Sequence, residues 1–300
     1  MYNYVESDYL TSPEWLENHI HDPQIRVVEI SDLYSPVTYY DAHVPGAVFW
    51  QWSQTLWHPT NRDFATPEQF ARLMKYSGVT HETTLVLYSH SKQFSSYAFW
   101  VCMMRGHTRL KILDGNCNLW FKEKRPVEKE LPHIIPTEYP ARPVNHSSRI
   151  GRDGVLAGLN NPERVILDLR SPEEYRGERV APPHFPFDFG AIRYGHIPGA
   201  RHLFYRELLD EDERFLPLEN LIIAYEKREA SPDKDIVTYC RLSHRGSMGW
   251  FIAKFLLNFQ RVQVYDGSWT EWGSAVGLPI ENPSYQPAFP QSGELTPLNT

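Results

Sequence analysis

Cys240 ends an apolar, β-branched run, Asp235-Ile236-Val237-Thr238-Tyr239, and is followed by Arg241-Leu242-Ser243-His244-Arg245-Gly246-Ser247. From Met248 to Leu257 the pattern is that of a largely apolar helix. A cysteine in such a strand-to-helix turn lies under free backbone N–H groups and the positive end of the next helix. Arg241, Arg245 and, when protonated, His244 add positive charge, so the reactive thiolate is favoured there. N–H groups curled around a point also form an anion nest. The chemistry this allows is thiolate attack on an anionic substrate with a covalent intermediate on sulfur. The competing reading is a buried structural cysteine packed as a small hydrophobe. Two arginines beside an inert thiol would then have no use.

The elements that must position this turn are written twice. His43-Val44-Pro45-Gly46-Ala47 recurs as His196-Ile197-Pro198-Gly199-Ala200, and Leu113-Asp114-Gly115 with Trp120 recurs as Tyr265-Asp266-Gly267 with Trp272. Thr84-Leu85-Val86-Leu87-Tyr88 matches the run before Cys240, and Arg26 to Ile30 matches Arg164 to Leu169; such short apolar runs read as buried strands. Ser12-Pro13-Glu14, Thr66-Pro67-Glu68 and Ser171-Pro172-Glu173 each set a capping hydroxyl before a helix-starting proline and an acid in the first turn. Strands alternating with helices predict parallel sheets covered on both faces, one α/β domain per half.

The halves meet in a proline-rich stretch without helical period, Val127 to Ser148, which reads as a stiff, extended linker. The expected organisation is a first domain over 1–126, a linker over 127–148, a second domain over 149–285 and a tail over 286–300. The second half also carries an insertion from Glu178 to Arg193, expected to be a loop. A chain of 300 residues with a net charge of −7 has no global attraction for nucleic acid or an anionic membrane, so any anion site is local. Three cysteines make no disulfide framework. Met1 to Glu6 lack the features of a secretory signal, and no run approaches the roughly 18 apolar residues of a membrane span. The expectation is a cytoplasmic protein.

Tyr239 to Ser247, His196-Ile197-Pro198-Gly199-Ala200 upstream and Tyr265-Asp266-Gly267-Ser268-Trp269-Thr270-Glu271-Trp272 downstream together resemble the rhodanese family. The likeness covers nearly the whole chain as two rhodanese-like domains, as in the tandem thiosulfate sulfurtransferases of bacteria. It implies a five-stranded, mainly parallel sheet per domain, flanked by helices, with the active site between the domains. It assigns Cys240 as the catalytic residue, taking a sulfane sulfur from thiosulfate or another anionic donor and passing it to cyanide or a thiol.

Arg241, Leu242, Ser243, His244 and Arg245 are the expected substrate-binding residues, with His244 either donating to an oxyanion or facing solvent. Asp168 either holds a loop arginine or accepts a hydrogen bond near the loop, or else caps the turn before Ser171. Asp266 ties the loop from below. His196, Cys102, Trp120, Trp250 and Trp272 read as structural. Ser89 stands at the cysteine position of the first half, where a hydroxyl cannot hold a persulfide, so that half is expected to be a non-catalytic wall of the pocket.

Leu242 replaces a lysine and Glu174 an arginine of the better-known vertebrate enzymes, and both changes remove positive charge. The retained arginines still favour thiosulfate over 3-mercaptopyruvate, whose users tend to a neutral Cys-Gly-Ser-Gly loop. A sulfur-relay or interaction module, with a thiol-reductant or sulfur-acceptor protein as partner, is the non-enzymatic alternative. A cysteine phosphatase would need an arginine one place beyond Arg245, where Gly246 stands; arsenate reduction is weaker still. The chemistry requires no metal or organic cofactor.

Overall fold

The computed structural model describes residues 7–31, 37–181 and 191–286. The core of the inserted segment (182–190), the tail from 287 and residues 1–6 lie outside them. The first half builds β1 (Leu10–Thr11), β2 (Ile25–Ile30), β3 (Val48–Trp50), β4 (Thr84–Ser89) and β5 (Leu110–Leu113). The second builds β6 (Arg149–Ile150), β7 (Arg164–Asp168), β8 (Arg201–His202), β9 (Asp235–Tyr239) and β10 (Val262–Tyr265). The sheet orders are β1-β5-β4-β2-β3 and β6-β10-β9-β7-β8, the same topology twice, and every pair is parallel. The duplicated α/β architecture is therefore present as two five-stranded sheets flanked by helices.

The local reasons are those of the sequence. Beyond their first residue β4 and β9 are buried, as strands covered on both faces must be. Ser12, Thr66 and Ser171 each accept an N–H of the turn they precede; Thr66 with Gln69 and Ser171 with Glu174 close full capping boxes. The helix expected over Met248 to Leu257 starts earlier, at His244, and runs to Phe251 before one π-type turn, Ile252–Leu256.

The two domains share a core between them, and each keeps a smaller cluster of its own. The helices that follow the equivalent strands, Lys92–Met104 and His244–Phe251, pack on each other, and a single apolar cluster runs through both sheets. Phe99 meets Phe251 edge-on at 5.0 Å, and Phe251 stacks with Phe215 at 5.5 Å. The stretch from 127 to 148 holds no helix or strand, and it is tied down rather than free. Thr137 bonds to Lys75 and Val79, Asn145 to Met104, and Tyr139 is buried against Phe70. Among the described residues no helix is long and apolar enough to cross a membrane.

Candidate active site

Cys240 sits where β9 ends, 1% exposed, at the point where the chain reverses into the helix His244–Phe251. Two devices set the turn. Ser243 adopts the left-handed conformation, with φ of 67°, and redirects the backbone. At Gly246 an added Cβ would lie 3.2 Å from the Cα of Tyr239, a tight contact, so glycine eases the seating of the helix's first turn against the strand end.

The loop is then pinned from below. Ser268 Oγ accepts the N–H groups of Cys240 (3.3 Å) and Ser243 (3.2 Å) while donating to the carbonyl of Tyr265 (2.8 Å). Trp269 N–H donates to the Cys240 carbonyl at 2.9 Å, and Thr270 Oγ1 to that of Arg241 at 2.8 Å. Ser243 Oγ lies 2.9 Å from Asp266 Oδ1, and Asp266 also takes Arg149 at 2.9 Å. Asp266 thus ties the loop as anticipated. The N–H groups of Cys240 and Ser243 are used in building the turn. Those of His244, Arg245 and Gly246 begin the helix, where no helix carbonyl can reach them.

Arg245 lies close enough for its charge to couple to the Cys240 thiolate, yet both its terminal nitrogens go to Glu174, at 2.7 and 3.0 Å. Both side chains are buried. Burial alone would push Glu174 upward; the Arg245 charge and hydrogen bonds, with help from Arg170, instead hold it at about 2. Burial pulls Arg245 downward and Glu174 more than offsets it, so the guanidinium stays charged. Glu174 therefore does more than subtract charge: it is the capping-box acid of its helix and the counterion of Arg245.

Asp168 is fully buried and accepts from Tyr239 Oη (2.6 Å) and from the side chain of Arg170 (2.6 Å at Nη2). The anticipated loop-arginine partner is thus replaced by Arg170, on Asp168's own chain segment. Arg170 also donates to the Gly195 carbonyl at 2.8 Å and stacks over Trp269 at 4.6 Å. Sequence reasoning missed Arg170, although an arginine two places past a strand-ending acid was a readable signal.

His244 does not face solvent. Its buried ring packs on three first-domain aromatics, Trp52 at 4.3 Å, Tyr97 at 4.4 Å and Phe94 at 5.1 Å. Burial, then the charges of Arg62, Arg245 and Arg241, pushes its pKa well below the ordinary value, so the ring is neutral at pH 7. It lends no positive charge to the thiolate, contrary to expectation. Arg241 is buried beside Cys240 and Leu242 is half-buried, so the loop residues and Cys240 come together while Asp168 stands one side chain away, behind Tyr239.

Ser89 occupies the Cys240 place in the first domain and donates to the Ser91 carbonyl at 2.7 Å. The helix start above it is capped by a carboxylate from the other domain: Glu213 accepts the N–H of Lys92. The ammonium of Lys92 turns inward to the carbonyls of Leu113 and Gly115, with its pKa lowered to about 8 by burial against the pull of Asp114 and Glu213. His196 bonds to the Tyr175 carbonyl and Glu281, and Trp120, Trp250 and Trp272 are buried, all structural as read. Cys102 is fully buried, which pushes its thiol pKa upward.

The family model described as a rhodanese-like domain matches residues 12–123 and 152–275. A Thermus thermophilus protein named sulfur carrier protein TtuD is 39% identical over 282 residues, covering 92% of this chain and 98% of its own. A Mycobacterium tuberculosis protein provisionally named thiosulfate sulfurtransferase SseA is 39% identical over 280 residues, 92% of either chain. Among solved structures, an EanB variant in complex with ergothioneine superposes with a TM-score of 0.82 at 22% identity, over 95% of this chain and 72% of that one, a likeness of fold. With two matched domains and relatives similar over almost their full length, the chain belongs to the rhodanese family, whose common work is sulfur transfer.

Proposed function

We propose that this protein is a thiosulfate sulfurtransferase that carries sulfur as a persulfide on Cys240. The observation that supports this most is the contrast at the two helix starts: above Ser89 Glu213 accepts the first N–H, and above Cys240 the first-turn N–H groups lie beyond reach of any helix carbonyl. In the first half-reaction the Cys240 thiolate attacks the outer sulfur of thiosulfate. The sulfur–sulfur bond of the donor breaks, sulfite leaves with the electron pair, and a Cys240 persulfide remains. Arg241 and the first-turn N–H groups of the helix meet the charge on the leaving group and then on the terminal sulfur. In the second, cyanide or a thiol attacks that sulfur and restores the thiolate. The neutral His244 and the Arg245–Glu174 pair shape the pocket, and Arg241, buried in the same loop, adds positive charge beside Cys240.

The likeness to a protein named as a sulfur carrier supports a second reading, in which the acceptor is a thiol on another protein. Phosphatase chemistry is disfavoured, because glycine stands at 246, where such an enzyme needs an arginine. Initial rates of thiocyanate formation over a grid of thiosulfate and cyanide concentrations test the proposal. Parallel double-reciprocal lines are expected, and Cys240→Ser abolishes the product; intersecting lines, or activity in that variant, contradict it.

A further inference from the structure

The first domain keeps, at the place matching the surroundings of Cys240, a different set of reactive side chains. Strand register equates Glu29, opposite Tyr88, with Asp168, opposite Tyr239, and each acid accepts its tyrosine hydroxyl at 2.6 Å. Around that shared pair the chemistry changes. The positions of Arg170, Arg241 and Trp269 are taken by Ser31, His90 and Cys117. Two cations and an indole have become a hydroxyl, an imidazole and a thiol. The ligand-capable atoms of Glu29, His90 and Cys117 all lie within 4.8 Å of one another. Glu29 and Cys117 are buried and His90 is half-buried, on the side from which an ion could enter.

We propose that Glu29, His90 and Cys117 form a divalent-metal site, of the class that takes Zn²⁺, in the non-catalytic domain. One carboxylate oxygen, one imidazole nitrogen and one thiolate sulfur suit zinc, whereas magnesium and calcium prefer all-oxygen sets. Bonds of about 2.0–2.3 Å place tetrahedral ligands roughly 3.3–3.8 Å apart, so the three atoms need close by at most about 1–1.5 Å. The charges balance: carboxylate and thiolate neutralise the dication, which a buried site requires. Supports for the ligands are also in place. Tyr88 Oη donates to Glu29, Thr38 Oγ1 lies 3.0 Å from His90 Nε2, and Asn116 Nδ2 donates to the His90 carbonyl at 3.0 Å. Binding converts the Cys117 thiol to thiolate and releases one proton, so affinity rises with pH. The site takes no part in the Cys240 chemistry and acts on the first domain's stability.

Cobalt(II) and zinc(II) titrations of the full chain test this, in a Cys240→Ser background that removes the competing catalytic thiol. One equivalent of cobalt binding with a thiolate-to-metal charge-transfer band is expected, displaced by zinc. His90→Ala, a change at a half-buried position, and Cys117→Ser should each weaken binding more than about tenfold, and the latter should abolish the band. Zinc should raise the melting temperature of the parent and leave that of Cys117→Ser unmoved. In chains retaining Cys240, both substitutions leave metal-free sulfur transfer unchanged. Failure to bind one equivalent, or binding that survives both substitutions, overturns the proposal.

Discussion

The turns after β4 and β9 are built on one plan and end in opposite states. Each strand closes on a tyrosine bonded to a buried acid, each is followed by a helix, and the two helices pack together. Above Ser89 the helix start holds the Glu213 carboxylate and the Lys92 ammonium points away, into carbonyls. Above Cys240 the arginine that could have flooded the pocket with charge is tied to Glu174, and the imidazole is kept neutral by first-domain aromatics. The fold supplies a helix start at both places; the two differ in the side chain beneath it, serine or cysteine, and in whether a carboxylate of the protein fills it.

The largest effect should come from exchanging the two side chains. The double variant Cys240→Ser, Ser89→Cys puts a thiol beneath the capped helix start, and thiosulfate-to-cyanide transfer should fall at least about a thousandfold. Activity near that of the parent would mean the Glu213 cap is irrelevant. Glu174→Gln should come next, because it leaves Arg245 buried against a neutral partner. Urea unfolding should show a loss on the order of 3 kcal/mol at pH 7. The sign with pH follows from a carboxyl held at about 2 when folded, below its ordinary 4.5. The contribution is complete above about pH 4.5 and is lost as pH falls through 2. The parent should therefore weaken over that window more than the variant, and equal slopes would contradict the pairing.

Glu213→Gln loosens the cap on the first-domain helix and should cost about 1–3 kcal/mol in the same assay, with no sulfur loading gained at Ser89. The smallest effect concerns His244. Its folded pKa is depressed, so its contribution is present above the ordinary histidine value and declines as pH falls below about 6.5. His244→Gln should flatten that part of the stability profile. A profile unchanged by the substitution would show that the ring is not held neutral by its box.

Much of this comparison was legible in the chain. The repeated His-Pro-Gly-Ala turns, the β-branched runs and the capping hydroxyls are local patterns, and each became the element its pattern predicts. Cys240 and its absence at Ser89 were legible for the same reason. The partners were not. Glu174 reaches Arg245 across 71 residues and Glu213 reaches Lys92 across 121, and no periodicity says which distant acid meets which base. Asp168 closes its strand beside Tyr239, and its cation is Arg170, two places on in its own segment and folded over Trp269. His244 read as solvent-facing or oxyanion-directed until Trp52, Phe94 and Tyr97 arrived from the other domain.

The most direct test of a single sulfur-carrying thiol is intact mass spectrometry before and after incubation with thiosulfate. The wild-type chain should gain about 32 Da, one sulfur atom, that cyanide removes, and Cys240→Ser should gain nothing. A gain that persists in Cys240→Ser, or none in the wild type, would contradict the assignment of the covalent step to Cys240.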